Sequence, residues 1–96
     1  MSETRDAYIR KVKAKLDEWN AEIDKLEAKA RQKEVDLQTD YRQQIEILKS
    51  KRQEAKDKLA TLQSASDSAW QDLKSGVELA ASALGEALKS AHTRFQ

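Results

Sequence analysis

Apolar residues recur at Ile9, Val12, Leu16, Trp19, Ile23, Leu26, Ala30 and Leu37, in steps of three and four, with Lys33 as the one interruption. This is a heptad series, with one position type at 9, 16, 23, 30 and 37 and the other at 12, 19, 26 and 33. Apart from Val35, charged residues, polar residues and Ala fill the places between. A helix with such a stripe leaves it wet unless another helix covers it. After Leu37 the apolar positions are Tyr41, Ile45 and Leu48. Those steps of four, four and three read as a four-residue stutter between 37 and 48, which keeps the stripe on one side of the helix. From Ile45 the heptad resumes through 48, 52, 55, 59, 62, 66, 69 and 73, with Arg52 and Ser66 its polar members. The pattern therefore predicts one long helix over 1–63, about 90 Å from end to end if continuous. A hairpin near Thr39-Asp40, where Asp40 and Gln43 have capping-box spacing, is the disfavoured rival, because neither Gly nor Pro sits there.

The next weak point is Gln63-Ser64-Ala65-Ser66-Asp67-Ser68. Ser and Asp favour caps and turns over helix interiors, and Ser68 with Gln71 has capping-box spacing. A break or kink is expected at 64–68. Beyond it, residues 68–96 hold few charges and carry the series Leu73, Val77, Ala80, Leu84, Leu88, Ala91 and Phe95. They read as a shorter amphipathic, Ala-rich C-terminal helix opened by Trp70. Gly76 and Gly85 would each cost about 1 kcal/mol there relative to Ala, a cost that suggests close contacts. At the other end, Ser2 or Thr4 is a candidate N-cap.

Composition narrows the class without changing this outline. Of 96 residues, 36% are charged, 5% are aromatic, and Gly 2, Pro 0 and Cys 0 leave little turn or disulfide chemistry. Such a mix belongs to long helices and coiled coils, and the spacing of the apolar residues argues against disorder. The expected fold class is all-α: a long coiled-coil helix followed by a shorter amphipathic one. The net charge is +1 with both signs interleaved, so no basic stripe points to nucleic acid. The polar, mixed-sign start carries no apolar run of a secretory signal. The expected location is cytoplasmic.

Candidate chemistry is sparse. His92 is the single His, without acidic neighbours four residues away, and reads as a last-turn residue favoured by the helix dipole. Carboxylate pairs such as Asp17-Glu18 lie on the wet face. No cofactor, metal or catalytic residue is indicated, and the chain reads as non-enzymatic. The candidate functional residues are instead those of a helix interface. In the long helix they are Ile9, Val12, Leu16, Trp19, Ile23, Leu26, Leu37, Tyr41, Ile45, Leu48, Leu59 and Leu62. In the tail they are Trp70, Leu73, Val77, Leu84 and Leu88. The two Trp are candidate anchors.

Two stretches also resemble a family of small bacterial coiled-coil proteins usually labelled stress response. One runs from Arg5-Asp6-Ala7-Tyr8 to Ala30 and contains Leu16-Asp17-Glu18-Trp19-Asn20-Ala21-Glu22-Ile23-Asp24-Lys25-Leu26. The other is Ser68-Ala69-Trp70-Gln71-Asp72-Leu73-Lys74-Ser75-Gly76-Val77-Glu78. The chain departs from the family pattern at Ser66-Asp67-Ser68-Ala69-Trp70, where the family has Ser-Gly-Asp-Ala-Trp. The resemblance implies a bacterial cytoplasmic role under stress and supplies no catalytic residues.

Together these readings favour a structural or interaction protein that forms a homo-oligomer through the heptad seam and offers its tail helix to a protein partner. In a parallel pair Lys29 meets Glu34 but Glu22 meets Glu27, so parallel dimer, trimer and antiparallel hairpin all stay open. Two alternatives use the tail helix differently. It could lie on a lipid surface, though its polar face is poor in Lys and Arg, or it could act as a holdase for exposed apolar segments.

Overall fold

The computed structural model describes residues 3–95. The described residues form three helices: α1 (Glu3–Arg31), α2 (Val35–Gln63) and α3 (Trp70–Arg94). They lie side by side in a body of 51 × 18 × 18 Å, and a 29-residue helix alone accounts for about 43 Å of that length. Arg5 at the start of α1 pairs with Asp67 in the α2–α3 connection. Lys29 near the end of α1 donates to the carbonyl of Phe95, just past α3. The helices therefore run up, down and up, with α1 parallel to α3. The chain is an all-α, three-helix bundle.

The seven-residue spacing is visible in what is buried. Ile9, Leu16, Ile23 and Ala30 line the inner face of α1. Tyr41, Ile45, Leu48, Ala55, Leu59 and Leu62 do so in α2, and Trp70, Val77, Ala80, Leu84, Leu88 and Ala91 in α3. These side chains form one core, edged by Tyr8, Val12, Trp19, Leu26, Leu73, Ala87 and Phe95. At about 1.5–3 kcal/mol for each large apolar side chain, this burial is the main stabilising term. No polar or charged residue among those described is fully buried. Arg52, the polar member of the α2 series, is half-buried and donates through Nη1 to Asn20 Oδ1 of α1.

The long helix over 1–63 is corrected by this fold. The chain turns at Gln32–Glu34, so two antiparallel helices stand where one rod was expected. Folding back lets α2 and α3 cover the apolar stripe of α1 inside one molecule, a gain that outweighs the helical preference of the turn residues. The phase change between Leu37 and Leu48 is then no stutter of a buried seam: both residues lie in α2, whose inner face keeps a single heptad phase from Tyr41 to Leu62. Leu37 is 51% exposed, because it lies off that phase in the first turn of α2. The rival turn at Thr39-Asp40 is also displaced. Both residues lie within α2, and Asp40 faces Arg94 at 3.8 Å.

At the second connection α2 ends at Gln63 and α3 begins at Trp70. The Ser64 amide N–H donates back to the Thr61 and Leu62 carbonyls, and the Ala69 N–H to Ser66 O. The Ser68–Gln71 capping box does not form. Ala69 holds the N-cap place with no side-chain cap bond, and the Ser68 hydroxyl meets that of Ser66 at 3.2 Å. Thr4 lies inside the first turn of α1 rather than ahead of it, and Ser2, the other candidate cap, lies outside the described residues.

Candidate functional site

Each predicted interface residue now has a place. Ile9, Leu16, Ile23, Tyr41, Ile45, Leu48, Leu59, Leu62, Trp70, Val77, Leu84 and Leu88 are buried among the three helices of one chain. Val12, Trp19, Leu26 and Leu73 are half-buried at the edge of the core. Leu37 stands apart in solvent. Helix interfaces therefore exist, and in the single chain they are internal.

The end of the bundle near Trp70 is closed by aromatic packing. Tyr8 meets Trp70 edge-on with ring centroids 6.2 Å apart. The Arg5 guanidinium lies 4.6 Å from the Trp70 ring, a favourable cation–π placement. The Tyr8 hydroxyl donates to Glu78 Oε1 at 3.4 Å, and Lys74 sits 4.9 Å over the Tyr8 ring. Burial raises the Tyr8 pKa, and the Glu78 carboxylate adds to the rise through its charge and its hydrogen bond. The opposite end is closed by Tyr41 and Phe95, stacked with centroids 3.9 Å apart.

Between these ends α1 and α3 touch least of the three pairs. A shallow groove of about 330 Å³ runs there, lined by Tyr8, Val12, Lys15, Trp19, Glu78 and Ala81 among others. Trp19 forms its lower rim. A methyl group at Gly85 would lie 3.1 Å from Trp19 Cζ2 and 3.3 Å from Cη2, so the ring rests directly on the α3 backbone. Gly76 has no such neighbour: a Cβ there meets only Lys58 Cδ at 3.9 Å. The groove is open to solvent along its length, and it holds no converging set of nucleophile, base and oxyanion donors. Among the described residues no group of three or more His, Cys, Asp or Glu is placed to hold a metal. His92 lies exposed in the last turn of α3.

Sequence reasoning passed over Tyr8, Asn20 and Val35. Tyr8 directly precedes the seam residue Ile9, so it flanks the stripe and reaches α3 beside it. Ala55, a member of the heptad series from Ile45, is buried as that series expects. Asn20 shows its role only when α2 folds back to bring Arg52 beside it. Among the described residues Val35 is the most exposed large apolar one at 77%, followed by Leu79 at 73%, Leu37 at 51% and Ile47 at 45%. Two of these four flank the α1–α2 turn.

No helix of the described chain is long and apolar enough to cross a membrane. Comparison with family models, curated proteins and solved structures found no match to this chain.

Proposed function

We propose that this chain is a non-enzymatic helical interaction protein that associates with further copies of itself, in a bacterial cytoplasmic, stress-related role. The observation that carries the reading is the placement of apolar surface. Heptad stripes cover one another within the chain, yet Val35 and Leu37 stand in water at one end. Leu37 belongs to the same seven-residue series as Ile23 and Ala30, which are buried. A seam that runs past the point where its own chain covers it is suited to a second chain. Coiled-coil pairing is the form this association takes. The stress-related setting rests on the resemblance of residues 5–30 and 68–78 alone.

Light scattering over a micromolar concentration series tests self-association. A mass of twice the chain that falls on dilution supports it, and a single-chain mass throughout overturns it. The lipid-surface and holdase readings have less support. The face they would use, Val77, Ala80, Leu84, Leu88 and Ala91, is buried within the bundle.

A further inference from the structure

The α1–α2 turn is built from the wrong residues for a turn. It comprises Gln32, Lys33 and Glu34, all good helix formers. Neither Gly nor Pro is present, and no described residue of the chain has a positive φ. Glu34 holds the N-cap place of α2 without a side-chain cap bond. Its φ of −63° is already helical, and its ψ of 156° is where it departs from a helix. The turn is held by local bonds: Gln32 and Lys33 N–H to the Lys29 and Ala30 carbonyls, and Gln38 Nε2 to the Lys33 carbonyl at 2.7 Å. In a continuous helix these same residues would make regular i→i−4 bonds.

The apolar pattern agrees with that alternative. Across the turn, the series 9, 16, 23, 30 and 37 continues without a change of phase. The shift that follows is four residues, which keeps the stripes of α1 and α2 on one side of a single rod. Leu37, half in water in the closed chain, then returns to the seam. The α2–α3 pair has no corresponding freedom, since its contact is the most extensive in the bundle and its connection is Ser-rich.

We infer that the self-association proposed above occurs by exchange of α1 between two copies, through straightening of Gln32–Glu34 into one helix over residues 3–63. Each α1 then packs on the α2–α3 hairpin of the other chain. Every inter-helix contact of the closed bundle is remade with its equivalent in the second copy, so the two forms differ chiefly at the hinge. The straight hinges cross near the two-fold axis, where the Leu37 side chains of both copies meet.

The α1–α2 ion pair provides the test. Glu27 Oε1 and Lys49 Nζ are 3.2 Å apart, and the chain has no Cys of its own. The full-length double variant Glu27→Cys, Lys49→Cys is refolded at high concentration and treated with a short bismaleimide, with the single-Cys variants as controls. Exchange links two chains, giving a covalent dimer on a denaturing gel. A native dimer by light scattering that yields only single-chain product overturns exchange while leaving self-association intact. A native single chain overturns both.

Val35→Pro gives an independent arm. Val35 is the first residue of α2, where Pro is well tolerated, and the extended Glu34 before it suits a following Pro. Inside a continuous helix, Pro disfavours each straightened chain on the order of a hundredfold or more. The variant is expected to keep its helix content by circular dichroism and to lose the dimer. A dimer that persists undiminished in this folded variant overturns the hinge mechanism.

Discussion

The two connections of this bundle do the same job by opposite means. Ser64–Ala69 reverses the chain with a Ser-rich run, hydroxyl and amide contacts hold it locally, and Asp67 pairs with Arg5 of α1. The buried Trp70 then pins it to Arg5 and Tyr8 of α1. Gln32–Glu34 reverses the chain with helix formers and leaves Val35 and Leu37 in solvent. The first turn is written into its own residues. The second is imposed from outside by the burial that α1 and α2 gain against each other and α3. Local preference and global fold agree at one end of the molecule and conflict at the other.

That contrast can be broken most forcefully at its strong end. Replacing Trp70, 7% exposed, with Ala should cost about 3–5 kcal/mol of folding stability, read as a lowered urea midpoint. A loss below 1 kcal/mol would mean that the Ser-rich turn is not anchored by this ring. At the weak end the expected sign reverses. Val35→Pro should stabilise the closed chain by about 0.4–1 kcal/mol, because the closed backbone accepts Pro and the unfolded chain loses freedom. Destabilisation would show that the turn is more tightly specified than its residues suggest. Leu37→Ala should shift the stability of the single chain by no more than about 0.5 kcal/mol, the range of surface substitutions, measured below the concentration at which chains associate.

Two finer tests separate the contacts at the Trp70 end. Asp67→Asn removes the pair to Arg5, in which Nη1 and Oδ1 are 2.7 Å apart but the Asp67 side chain is 93% exposed. Its small loss should vanish as salt rises, since exposed pairs are screened. Tyr8 carries a pKa raised above its ordinary value of 10.0. The folded state therefore holds this proton more tightly than the unfolded state. The associated stability is full below about pH 10 and is lost as pH climbs through the raised value. Tyr8→Phe should flatten that alkaline decline in chemical denaturation, and an unchanged slope would count against the burial and the Glu78 contact.

Much of the core was legible from spacing alone. The series from Ile9 to Ala30 and the series from Ile45 to Leu62 follow the inner faces of α1 and α2, because periodicity reports which side of a helix is covered. It does not report by what. Nothing in Ile9, Leu16 or Ile23 distinguishes a neighbouring helix of the same chain from one of another. For the same reason the turn at Gln32–Glu34 was invisible: helix formers in phase with a heptad look like more helix. Lys33, which interrupts the apolar series, was the available clue. The Ser-rich run was readable because its residues compete chemically with helix formation. The aromatic closure of Tyr8 on Trp70 required knowing that α1 and α3 run parallel.

Gly85 has a consequence for alignment. Interfaces built on a seven-residue repeat look nearly the same after sliding by one repeat, about 10 Å along the helix axis, so hydrophobic spacing alone would let α1 creep along α3. The indole of Trp19 needs a bare patch of backbone beneath it, and α3 offers one at Gly85. One repeat away in either direction the ring would land on Glu78 or His92. A single missing methyl group thus works as the registration mark of the bundle.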